Sequence, residues 1–119
     1  MLRKFLILMC ACGLSACGST PQEPVGEITS NGRINGREAY VDFCAGCHET
    51  GMLGAPIAGD AAYWKGRSTL WQAVLMEHAK QGYYDMPPKG GRPDVSDARI
   101  DAATEYMLSV TFPDLPADQ

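Results

Sequence analysis

Large aromatic side chains are scarce in this sequence, with two Trp, three Phe and five Tyr among 119 residues, so a wide polypeptide core is not available to it. A surplus of basic residues is also missing. The formal net charge is −4, which excludes a surface built to hold nucleic acid or an anionic membrane by charge. Histidine occurs twice, at His48 and His78, and this limits any protein-only metal site. The longest apolar stretch, Phe5 to Cys12, is too short to span a bilayer. No internal repeat, Ser-His-Asp arrangement or phosphate-binding loop is visible, and strand alternation is absent, so the expected class is all-α.

Cysteine is rarer than its count of five suggests. Met1-Leu2-Arg3-Lys4 is a basic start, followed by the apolar run and then by Leu14-Ser15-Ala16-Cys17. That order describes a secretory signal peptide over residues 1–16. Its ending resembles the bacterial lipoprotein signal, which implies cleavage before Cys17 and lipid on that residue. Cleavage would remove Arg3 and Lys4 and leave the remainder more acidic. With Cys10 and Cys12 in the signal and Cys17 lipidated, Cys44 and Cys47 are all that remain. No disulfide framework can then staple so small an exported domain.

Residues 18–32 are polar, rich in Gly and Pro, and without apolar period. They read, with Cys17, as a tether over 17–32 reaching roughly 20 Å as a random coil. Residues 33–112 form the expected domain and 113–119 a tail. Helices are predicted over about Asn35–Cys44, Ser68–Gln81 and Asp97–Val110. Ser68 or Thr69 and Ser96 suit N-caps, Gly82 stops the second helix, and Asp97 suits the positive first turn of the third. Leu70, Val74, Leu75 and His78 form one apolar-leaning stripe; Ile100, Ala103, Met107 and Val110 form another.

Cys44-Ala45-Gly46-Cys47-His48 carries the chemistry. On a helical turn, positions three apart share a face. Two such thiols can each add across a haem vinyl group, leaving the next imidazole aimed at the iron; the spacing is that of c-type haem attachment. A thioredoxin-like pair would need a βαβ context, and a zinc site a second Cys pair, neither of which the chain offers. The second axial position has several candidates: Met52, Met76, Met86, Met107 and His78. Met52 is too close to His48 to reach the opposite face easily. Met76 and Met107 fall in helices, where Met more often fills core. Met86 stands in Tyr83-Tyr84-Asp85-Met86-Pro87-Pro88-Lys89-Gly90-Gly91, where Pro87 forces it extended and Pro88 stiffens the loop. A filled sixth position gives an electron shuttle; an open one gives a ligand binder or weak peroxidase.

From Asn35 to Val110 the chain resembles a class I monohaem cytochrome c, nearest the short bacterial c-five type. The residues behind this are the Cys44–His48 motif, Gly54-Ala55-Pro56, Gly59-Asp60-Ala61-Ala62-Tyr63-Trp64 and Met86–Gly91. The resemblance implies three main helices packed round one covalently attached haem c. It implies His48 and Met86 as axial ligands and the Pro56 carbonyl as acceptor of the His48 ring N–H. It further matches Trp64 to an indole packed by a haem propionate, Gly36 and Tyr40 to the family's first helix, and Tyr106 to the aromatic of the last. Tyr83 and Tyr84 are candidates to line the pocket, and Lys65, Arg67, Lys89 and Arg92 to steer a partner. Members of the c-five group often carry a further Cys pair after the ligand Met, and Gly91–Gln119 has none. The expected role is electron transfer, not catalysis. A monomer on the periplasmic side of a bacterial membrane would shuttle between a respiratory reductase and an oxidase or other terminal acceptor.

Overall fold

A computed structural model describes residues 32–64 and 72–114 of the chain. The signal, Cys17, most of the tether, Ser68, Thr69, Leu70, Lys65 and Arg67 lie outside the described residues. The described part is helical, with no strand beyond an isolated bridge.

Helix α1, Gly36–Phe43, starts where Asn35 leaves helical geometry and its side chain accepts the Glu38 N–H at 3.2 Å. It ends at Cys44, whose own N–H still reaches the Tyr40 carbonyl. A short α2, Ala45–His48, follows at once, and α3, Ala61–Trp64, comes after a loop. Helix α4, Gln72–Gln81, and helix α5, Asp97–Thr111, complete the set. The three predicted helices are therefore present, and the two single-turn helices are too short to show an apolar period.

Helix α5 packs against both α1 and α4. Its buried face is Ile100, Ala103, Thr104, Met107 and Thr111. The predicted stripe includes Val110 instead, which is exposed. Thr104 and Thr111 go inside because each hydroxyl donates back to the carbonyl four residues earlier, Ile100 at 2.9 Å and Met107 at 2.6 Å. Ser96 occupies the N-cap of α5 but makes no side-chain capping bond. Val74 of α4 is exposed as well, and nothing on that helix is fully buried.

The α1–α5 crossing depends on Gly36. A Cβ there would collide with the Ala102 carbonyl oxygen and stand 3.2 Å from the Tyr106 Cβ. Beside that contact the Tyr40 and Tyr106 rings meet at 5.3 Å. The core cluster is small: Ala39, Tyr40, Ala45, Trp64, Ala103 and Met107. Among the described residues no large side chain is wholly enclosed, and no helix is long and apolar enough to cross a membrane.

Candidate functional site

Cys44 sits at the junction of α1 and α2, and its carbonyl accepts the N–H groups of Cys47 at 3.2 Å and His48 at 3.0 Å. The turn sets both cysteines, half-buried and not disulfide-linked, just ahead of the imidazole. Burial, and then the neighbouring Cys47, pushes the Cys44 thiol up to about 11. No group of three or more metal-binding side chains exists among the described residues.

His48 is buried, and its Nδ1 lies 2.9 Å from the Pro56 carbonyl oxygen. That contact puts the proton on Nδ1 and the lone pair on Nε2, the form a metal ligand needs. The loop behind the ring is fixed almost atom by atom. Ala58 donates to the His48 carbonyl at 2.8 Å, Trp64 Nε1 donates to the Ile57 carbonyl at 2.9 Å, and Gly59 donates to Thr111 Oγ1 at 2.9 Å. The indole N–H of Trp64 is therefore committed to the backbone, which leaves the ring itself to pack, edge-on to Phe112.

Met86 lies in a tight hairpin. Tyr83 and Met86 exchange both backbone bonds at 3.0 Å, with Tyr84 at φ 50° in the turn between them. Gly82, at φ +87°, faces the inside of this hairpin, where a Cβ would come within 2.9 Å of the Met86 carbonyl and of Pro88. After Pro87 the chain turns through three left-handed residues, Lys89, Gly90 and Gly91. Gly90 lies against the Phe43 carbonyl, where a Cβ would stand 3.2 Å away. The Met86 loop is thus brought to the end of α1 that leads into Cys44. Arg92 and Arg99 reinforce this junction, with guanidinium carbons 5.2 and 4.5 Å from the Phe43 ring centroid.

Other candidates separate from the site. Met107 is core and Met52 is exposed on the turn after His48. His78 stacks on Tyr83 at 4.0 Å, a helix residue packed against the loop. Tyr84 is 89% exposed and meets Tyr83 edge-on at 4.6 Å, so the hairpin holds it out from the protein rather than in a pocket. Lys89 and Arg92 do not form a free steering pair. Lys89 bonds Asp97 at 2.7 Å, and Arg92 bonds Asp94 at 2.9 Å. Sequence reasoning does not single out Thr111, Arg99 or the inward face of Gly82. Of these, Gly82 alone leaves a trace, as a glycine that reads simply as a helix stop.

The residues present fit a covalent haem: two adjacent thiols on one turn, a buried imidazole with its tautomer fixed, and a thioether in a closed loop at the same junction. Exposed apolar side chains, including Met52 and Leu53, flank the motif. Residues 34–107 match the family described as cytochrome C oxidase, cbb3-type, subunit III. Cytochrome c-555 of Chlorobaculum thiosulfatiphilum is 39% identical over 77 residues, covering 61% of this chain and 90% of that protein. Cytochrome c5 of Azotobacter vinelandii is 38% identical over 78 residues, covering 64% and 94%. Among solved structures, a chain of the crystal structure of the electron transfer complex of nitrite reductase with cytochrome c is similar, with TM-score 0.58 and 30% identity, over 65% of this chain and 94% of that one. Ectothiorhodospira halophila cytochrome c551 gives TM-score 0.53 at 30% identity, over 63% and 97%. The chain belongs to this family of c-type cytochrome domains: it is a class I monohaem cytochrome c, an electron carrier with one covalent haem c and its iron.

Proposed function

We propose that this chain is a lipid-anchored, His/Met-ligated electron carrier working on the periplasmic side of a bacterial membrane. Cys44 and Cys47 would hold the haem through thioether bonds, and His48 and Met86 would ligate its iron. The bound haem supplies a metal that gains and loses one electron without changing its protein ligands. The chain supplies rigidity: Pro56 fixes the imidazole, and the Tyr83–Met86 hairpin with Pro87 and Pro88 fixes the thioether, so little has to move when charge changes. The observation that carries this reading is the 2.9 Å contact from the buried His48 ring to Pro56 directly after the two cysteines. Trp64 helps hold that loop, and Tyr84, exposed beside the ligand hairpin, is suited to meet a partner.

The domain covers residues 33–112, tethered through 17–32 to lipid on Cys17 after removal of 1–16, with 113–119 as a tail. Electrons pass to and from respiratory partners, a reductase on one side and an oxidase or other terminal acceptor on the other; the domain works as a monomer. The family description names an oxidase subunit, which favours a fixed relay as the second reading. The high coverage of small relatives supports a free-standing carrier instead.

A redox titration followed optically tests the ligands. The oxidised holoprotein is expected to show the thioether-to-iron charge-transfer band at the red end of the spectrum, and Met86→Ala to lose it. A high-spin wild type without that band overturns Met86. Cys44→Ala with Cys47→Ala should abolish haem that survives acid-acetone extraction, and retention would overturn the attachment site. Cys17→Ala should move the protein from the membrane to the soluble fraction. Co-purification with a large enzyme after mild detergent extraction would favour the fixed relay.

A further inference from the structure

The turn that follows Met86 has a residue in an unexpected place. Lys89, Gly90 and Gly91 have φ values of 54°, 64° and 82°, all left-handed. Glycine occupies two of these three positions because it adopts that geometry without steric cost. The first position is equally unfavourable for a side chain, yet it carries lysine. Something other than the backbone keeps it there.

Its side chain provides the reason. Lys89 Nζ donates to the Val95 carbonyl oxygen at 2.7 Å and pairs with Asp97 Oδ1 at 2.7 Å. The lysine side chain is only 21% exposed, so the Val95 bond is sheltered from water, whereas Asp97 at 64% exposure is well screened. Val95 is itself buried, immediately before the N-cap of α5. A cation beside the first turn of a helix opposes the helix dipole, so support of α5 does not explain the arrangement. The same segment closes on itself through Gly90 to Pro87, Arg92 to Lys89 and Val95 to Arg92 backbone bonds. Lys89 spans the mouth of that segment and ties the chain leaving Met86 to the start of α5. Leu53 and Tyr84, the other left-handed residues with side chains, are both strongly exposed.

The geometry points to Lys89 as a positioning residue: through Val95 and Asp97 it holds the Met86 loop shut against α5 and so limits how often the thioether leaves the iron. This rests on Met86 as axial ligand. Lys89 acts through the loop, by way of Val95 and Asp97. The clasp is a local lock, so its removal raises the population of open loop more than that of unfolded protein. An external ligand that needs the sixth position then binds more tightly, in proportion to that population.

Imidazole titrated into the oxidised holoprotein reads the open population directly. Lys89→Met and Lys89→Gly are each expected to tighten imidazole binding roughly tenfold, as loss of a sheltered charge-assisted hydrogen bond allows. Asp97→Asn should give about a threefold change, in keeping with its screening, and Lys89→Arg should stay near wild type. Lys89→Gly also relieves the left-handed strain, so its denaturation midpoint should fall less than that of Lys89→Met while imidazole binding rises equally. Unchanged imidazole binding in both variants, with the red band present in wild type, overturns the clasp and leaves Met86 in place. A wild type without the band overturns Met86 and the clasp together.

Discussion

At the scale of single residues, the site is held by groups that do no chemistry themselves. His48 and Met86 each depend on a neighbour that sets their geometry. Pro56 accepts from the imidazole, and Gly82 lets the hairpin close on Met86. Gly82→Ala meets two penalties at once, a positive φ and a Cβ within 2.9 Å of the Met86 carbonyl and Pro88. We expect it to cost about 2–3 kcal/mol of stability, the sum of backbone strain and a forced shift of the loop. Thermal melts would record the loss, with a weakened red band in the same sample; an unperturbed melt and spectrum would mean the hairpin adapts freely. The features around Met86 are unequally legible in the sequence. The Met-Pro-Pro run points to Met86 because proline chemistry is local. The inward face of Gly82 cannot be read, since it depends on where the chain returns four to six residues later.

At the scale of elements, the decisive contact is the crossing of α1 and α5. Asn35 starts α1, and Ala39 and Tyr40 form its buried face. What brings α5 within reach is the missing side chain at Gly36, facing the Ala102 carbonyl. Gly36→Ala should therefore destabilise the fold by about 1–3 kcal/mol through overpacking, although alanine is the better helix former. Chemical denaturation measures this, and a stabilising result would show that the helices can separate without loss. The α5 stripe shows the limit of periodicity. Ile100, Ala103 and Met107 are buried as their spacing indicates, but Val110 is exposed and Thr111 is buried. Thr111 gains its place by accepting the Gly59 N–H across 52 residues of chain, which no local pattern encodes.

At the scale of the whole molecule, a small helical domain with a narrow polypeptide core ties its pH range to a few titratable groups. The hydrogen bond from Lys89 holds Asp97 below the usual carboxylate range, and the bond from Arg92 does the same for Asp94. A depressed folded-state value means stability that is present above the unfolded carboxylate range and lost as pH falls through the folded value. At the other end, burial, with Glu49 next, raises the Tyr40 phenol above its ordinary value of 10.0. That contribution is present below the ordinary tyrosine range and lost as pH rises through the raised value. Urea midpoints should thus hold through neutral pH and decline at both extremes. Asp97→Asn should lose less than wild type as pH falls from neutral through the acid range, and Tyr40→Phe less as pH rises past the ordinary tyrosine value; parallel curves would assign the pH limits to other groups.

Sequence alone determined what rests on neighbours in the chain. The Cys44–His48 spacing is a one-turn motif, the helices announce themselves by caps and period, and Pro87 and Pro88 stiffen their own loop. These local facts were enough for an all-α cytochrome with one covalent haem. Tertiary structure decided which groups meet across the chain: Gly59 with Thr111, Gly90 with Phe43, and Lys89 with Val95 and Asp97. Such contacts depend on angles and distances accumulated over many residues, and on glycines whose value lies in the side chain they omit. Residue types can be counted in a sequence, but which backbone a glycine such as Gly82 faces is decided only when another part of the chain closes on it.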